Sequence, residues 1–126
     1  RYWDKRASAG SLAVLDKIVS LVQSSGAQPR VTYNKNHIAL GTTGVNFCWF
    51  HPPKGAGHCQ LRVRARAESR DEIIKKFSET GLYVRPFQTE LITFKLAIAD
   101  IDRYRPLIEE TLRICEVQSR NGEGEA

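Results

Sequence analysis

The sequence predicts an α+β domain: an antiparallel sheet of about five strands in the order α-β-β-β-β-α-β-α, with helices mainly on one face. Three observations carry that expectation. Residues 45–67 form two arms that alternate with the period of two of half-buried strands, joined by a loop rich in Pro and Gly. Stretches at the start, middle and end of the chain repeat apolar residues at spacings of three and four, as helices packed on a sheet do. Short strand-like runs bounded by Asn and Gly turns fill the space between the first helix and the hairpin.

Each element has its own justification. Residues 1–7 are a lead-in whose Tyr2 and Trp3 read as a clasp onto the core or a contact with an upstream segment. Ser8 or Ser11 can cap the first helix, whose stripe is Leu12, Leu15, Ile18, Val19 and Val22, and Gly26 suits its left-handed end. Val31–Tyr33 and His37–Leu40 are short strands around Asn34-Lys35-Asn36.

In the hairpin, Val45, Phe47 and Trp49 share one phase, expected to face the core with Leu61, Val63, Ala65 and Ala67. Arg62, Arg64 and Arg66 then line the outer face, with Phe50 and Cys48 beside them. Ser69 and Glu72 have the spacing of a capping box at the start of the second helix, which Gly81 stops. A last strand alternates Ile92, Phe94 and Leu96 with Thr93 and Lys95, and Pro86 marks an irregular approach to it. The final helix keeps one apolar phase from Ile101 to Cys115 through Pro106, which calls for a kink or for a turn before a helix beginning at Pro106. The unbroken phase favours the kink. Residues 8–117 thus make one domain, and 118–126 are expected to be a disordered tail.

The 126 residues carry 19 Lys and Arg against 14 Asp and Glu, a net charge of +5. Such an excess permits contact with nucleic acid or acidic partners without demonstrating it. The 41% hydrophobic and 26% charged content is that of an ordinary soluble globule, and no apolar run is long enough to span a membrane. Three cysteines are not a disulfide framework, so a reducing, cytoplasmic setting is expected. The chain has no methionine, even at its start, which suggests a piece of a longer protein with an upstream partner domain. Its oligomeric state is not legible.

Tyr33-Asn34-Lys35, His37-Ile38-Ala39-Leu40, a glycine turn and Asn46-Phe47 resemble a bacterial domain family labelled "predicted transport protein" or domain of unknown function. The resemblance covers residues 8–117 and departs from the family around 67–90, where its members often have a Gly-rich, Trp-containing segment. It implies an α+β accessory domain of the kind found behind restriction- or nuclease-type domains. It carries over no catalytic residues.

Catalytic chemistry finds little footing in the residues. Cys48, His51, His58 and Cys59 are zinc-type ligands, but Cys48 and His51 point to opposite strand faces and the spacing fits no paired-ligand pattern. Cys59 with His37 or His58 lacks the local signature of a nucleophilic pair. Lys54-Gly55-Ala56-Gly57 is followed by no helix whose dipole could hold a phosphate. Glu90 and Lys95 fall on opposite faces, so no nuclease-type pair forms, and Asp100/Asp102 and Glu109/Glu110 read as helix polar faces. No catalytic residue, cofactor or metal is therefore expected.

The row Arg62, Arg64, Arg66 remains. At about 6.5–7 Å spacing it can follow a phosphate backbone, with Phe50 for base stacking and Lys95, Arg85, Lys54 and Lys35 extending the patch. DNA or RNA is the expected partner. A protein-interaction or dimerisation surface is the alternative, since arginine and aromatics also fill interface cores, and a small-molecule enzyme is third.

Overall fold

The computed structural model describes residues 2–54 and 57–125. Arg1 of the lead-in, Gly55 and Ala56 of the glycine loop and Ala126 of the expected tail lie outside the described residues.

In chain order the elements are α1 (Tyr2–Arg6), α2 (Ala9–Ser24), β1 (Arg30–Tyr33), β2 (Ile38–Gly41), β3 (Asn46–His51) and β4 (His58–Arg64). They continue with α3 (Ala67–Phe77), β5 (Tyr83–Phe87), β6 (Leu91–Ala97), α4 (Ile98–Arg103) and α5 (Arg105–Glu125). The fold is α+β. Six strands form one sheet in the order β1-β2-β3-β4-β6-β5, and every neighbouring pair is antiparallel.

The sixth strand is β5, the approach that Pro86 marks. Proline cannot donate to a ladder, so a strand containing it survives at a sheet edge, and β5 is an edge, with Pro86 opposite Ile92.

Helices α2–α5 lie against one face. Ile18 of α2, Phe77 of α3, and Ile108 and Leu112 of α5 close on Leu61, Val63, Phe94 and Leu96. Phe77 meets Phe94 edge to face at 5.2 Å, a favoured aromatic geometry. Trp3 and Ala7 join this core, and Trp3 donates its indole N–H to the carbonyl of Asn34 at 2.9 Å. The lead-in is thus a clasp. Ser8 caps α2 by accepting from the Ser11 amide at 3.1 Å, and Gly26, at φ 93°, turns the chain out of that helix.

The hairpin forms with a register opposite to the expected one on β3. Phe50 pairs with Leu61 and Cys48 with Val63, so both face the helices, whereas Trp49 pairs with Arg62 on the other face. Asn-Phe-Cys-Trp-Phe-His is apolar in both phases, so alternation alone does not choose a face, and a one-residue difference exchanges the two sets. An irregularity between Leu40 and Gly41, where β2 meets β3, breaks the phase further, and Phe47 is fully buried in the core.

Three other expectations are corrected. The Ser69–Glu72 capping box does not form: α3 begins three residues earlier than that box would set, at Ala67. Its N-cap, Arg66, has no side-chain capping bond, and the Gln118 side chain satisfies this end by accepting from the Arg66 amide and donating to Ser69 Oγ. The last helical stretch is two helices broken at Tyr104, with Pro106 in the first turn of α5, where a missing N–H costs nothing. Finally, α5 continues past Val117 as helix, and Ser119 is buried.

Candidate nucleic-acid interface

Because the helices take the face of Leu61 and Val63, the alternating partners of those residues look the other way. Register then assembles three rows across the uncovered face. One is Trp49, Arg62, Thr93 and Arg85; the next is His51, Gln60, Lys95 and Tyr83; the third joins Arg64, Leu91 and Phe87. Arg62, Arg64, Arg85 and Lys95 come together here from β4, β5 and β6.

Each of these cations lies over an aromatic ring. The Arg62 guanidinium carbon is 3.8 Å from the ring centroid of Phe87, and that of Arg64 is 5.0 Å from Trp49. Arg85 at 4.8 Å and Lys95 at 4.5 Å share Tyr83, which is 41% exposed. These are cation–π distances. Arg62 is held from a second side, donating its Nε–H to Thr93 Oγ1 at 3.1 Å. Thr93 itself is only 6% exposed, so the anchor is fixed. The two terminal amino groups of Arg62 have no partner among the described residues.

The electrostatics of the face are one-sided. None of the six strands contains Asp or Glu. The ion pairs Lys17–Asp102, Arg70–Asp71, Lys76–Glu110, Arg105–Glu109 and Arg120–Glu116 all belong to helices. Among the described residues no carboxylate neutralises Arg62, Arg64, Arg85 or Lys95. At one margin His51 sits with His37, ring centroids 6.0 Å apart. Burial, then the Arg62 charge, push the His51 pKa below the usual imidazole value, with His37 adding to the shift and a hydrogen bond from the ring to the Asn36 backbone opposing it.

The remaining expected site residues fall elsewhere. Phe50 is 0% exposed on the helix-covered face, so it offers no stacking surface. Arg66 lies past the end of β4 at the α3 N-cap, outside the rows. Lys54 is in the β3–β4 loop, around an open depression with Tyr2, Lys5 and Arg6, and Lys35 is in the β1–β2 turn.

The cysteine–histidine set is split. Cys48 and Cys59 are buried against the helices, while His51 belongs to the other face and His58 is exposed. No three His, Cys, Asp or Glu residues converge as metal ligands among the described residues. Burial pushes the Cys59 and Cys115 thiols up to about 12 and that of Cys48 well above its usual value, where the neighbouring thiols add to it. Asp100 accepts from the Ala97 amide at the head of α4, and Asp102, Glu109 and Glu110 are paired with Lys17, Arg105 and Lys76.

Trp49, Tyr83 and Phe87 were not anticipated as parts of the site. A signal for the latter two is present: in Tyr-Val-Arg-Pro-Phe, Tyr83, Arg85 and Phe87 alternate as a strand face does.

No protein-family model matches this sequence, and no curated protein matches it significantly. The resemblance drawn through Asn46-Phe47 rests on the sequence alone.

Proposed function

We propose that this domain is a binding module that holds nucleic acid on the uncovered face of its sheet. The observation that carries the reading is the set of four cations, each resting on an aromatic ring, on strands that have no carboxylate. Unneutralised positive charge at a surface attracts anionic partners, and a polyanion engages several such charges at once by releasing counterions. The aromatic supports hold the cations in place before binding, which reduces the ordering cost of contact.

If all four contact phosphates, log affinity against log salt should have a slope of about −2.8 for a single strand and −3.6 for a duplex. Between about 50 and 200 mM salt that is a loss of about 50- to 150-fold. Titration of labelled oligonucleotides across this range tests the reading, with Arg62→Ala/Arg64→Ala expected to reduce the slope by about 1.4 to 1.8. Absence of binding at the lowest salt overturns it. Association of two chains through the same face is the competing reading, since Trp49, Phe87 and arginine are also interface-core chemistry. It would appear as a concentration-dependent mass in light scattering, abolished by Trp49→Ala.

A further inference from the structure

We infer that the strand carried by this face is single, with bases resting on Trp49, on Tyr83 and on the layered pair Arg62–Phe87. The inference rests on the nucleic-acid reading above and specifies its ligand. Its first ground is the spacing of the strand positions that carry the rings. Trp49 and Arg85 are at the two ends of one row that crosses β3, β4, β6 and β5, three strand intervals or about 14 Å. Tyr83 and Phe87 stand two residues to either side of Arg85, about 13 Å from each other.

Bases within a duplex strand rise only 3.4 Å per step and have both faces covered by their neighbours. A duplex laid on this sheet would therefore show phosphates to the cations and nothing to the rings. An unpaired strand can splay its bases, and aromatic rings and arginine planes are the surfaces on which splayed bases stack.

The second ground is the state of Arg62. A cation serving only as a point charge for a phosphate needs no fixed plane. Arg62 is held at two points, its guanidinium carbon 3.8 Å from the Phe87 centroid and its Nε tied to the nearly buried Thr93 hydroxyl. A planar guanidinium fixed on a ring presents a stacking layer whose terminal amino groups still reach phosphate. The third ground is exposure: among the described residues Tyr83 is one of three exposed large hydrophobic side chains. An exposed tyrosine with two cations 4.8 and 4.5 Å from its ring centre places an aromatic surface and two phosphate contacts at one spot.

The test measures the full chain against four probes of about twelve units: a deoxythymidine strand, a uridine strand, a hairpin duplex, and an abasic deoxyribose-phosphate strand of equal charge. Expected is tighter binding of the unpaired base-bearing strands than of the duplex or the abasic strand by at least tenfold. The ratio between the deoxy and ribo strands then names the nucleic acid. Trp49→Ala and Phe87→Ala should each weaken single-strand binding by about 5- to 150-fold, the value of one stacked base, and weaken abasic binding, which loses only the support of one cation, by a clearly smaller factor. Trp49→Leu and Phe87→Leu, which keep apolar bulk, should show the same loss if stacking is the cause. Equal binding of duplex, abasic and base-bearing strands overturns the inference and leaves the nucleic-acid reading standing. Binding of none of the four overturns both.

Discussion

Trp49 and Arg64 meet on the uncovered face of the sheet, guanidinium carbon 5.0 Å from the ring centroid, while the next residue along the chain, Phe50, is sealed beneath the helices. Neighbours in sequence thus belong to opposite sides of the protein. Phe50→Ala should cost about 3–5 kcal/mol, as large-to-small changes in a packed core do. Trp49→Ala, at a half-buried surface position, should cost less than half of that. Urea unfolding of the two variants checks the assignment, and a reversed order would contradict the register between β3 and β4.

Arg62 and Thr93 form one unit. Thr93→Val keeps the shape of the side chain and removes the oxygen that accepts from Arg62 Nε. It should weaken oligonucleotide binding several-fold while moving the urea midpoint little. Arg62→Lys retains the charge but not the plane, so its affinity should fall closer to that of Arg62→Ala than to that of the parent. Parallel binding curves at one salt concentration decide this.

Acidity should act on folding and on binding in opposite directions. Burial and the Arg62 charge hold the folded-state pKa of His51 below its ordinary value of 6.5. Between the lowered folded value and 6.5 the unfolded chain binds more protons, so stability rises with pH in that window and is lost as pH falls through it. A bound phosphate reverses the local field, so the complex takes up the proton and affinity rises as pH falls. Binding compared at pH 7.5 and pH 5.5 should show this gain in the parent and a smaller one in His51→Gln.

Gln118 joins α5 to the start of α3 through two bonds, 2.8 Å from the Arg66 amide and 2.7 Å to Ser69 Oγ. Gln118→Ala should cost about 1–2 kcal/mol, the range of a lost helix cap. Thermal or urea unfolding measures it. No change would mean that the Ser69 hydroxyl supplies the cap in its place.

Cys48, Cys59 and Cys115 are buried with raised thiol pKa values. Since the thiolate is the reactive form, native protein should react slowly with a thiol-directed reagent at neutral pH. All three should become reactive together on unfolding. Rapid labelling of one cysteine in the native state would contradict the packing of β3 or β4.

What could be read in the sequence follows from where one physical signal acts alone. Leu61, Val63, Arg62 and Arg64 alternate between apolar and charged, so β4 has one possible orientation, and it is the one observed. On β3 both phases are apolar, so the choice between Trp49 and Phe50 is made by pairing with β4 and by the irregularity at Gly41, neither of which is local. Tyr83 and Phe87 were hidden because Pro86 argues against a strand, and its tolerance at an edge depends on sheet order. Gln118 gave no apolar signal, since its contribution is two hydrogen bonds to residues about fifty positions away. Pro106 was legible as a break, but whether a helix bends or restarts there depends on the packing of Tyr104, whose hydroxyl donates to the Thr80 carbonyl.

The absence of carboxylates from the strands has a consequence for motion as well as for contact. The strands hold Arg30, Arg62, Arg64, Arg85 and Lys95, five charges, which equals the net +5 of the whole chain. Everything outside the strands therefore sums to zero. The molecule has the character of an electric dipole, with a positive sheet set against helices in which the acidic residues outnumber the basic ones. Within about 10 Å of a polyanion at 0.1 M salt, the Debye length, such a body experiences a torque that turns its sheet toward the source before any side chain touches it. Encounters would then begin in the orientation that contact requires, raising the association rate most at low ionic strength.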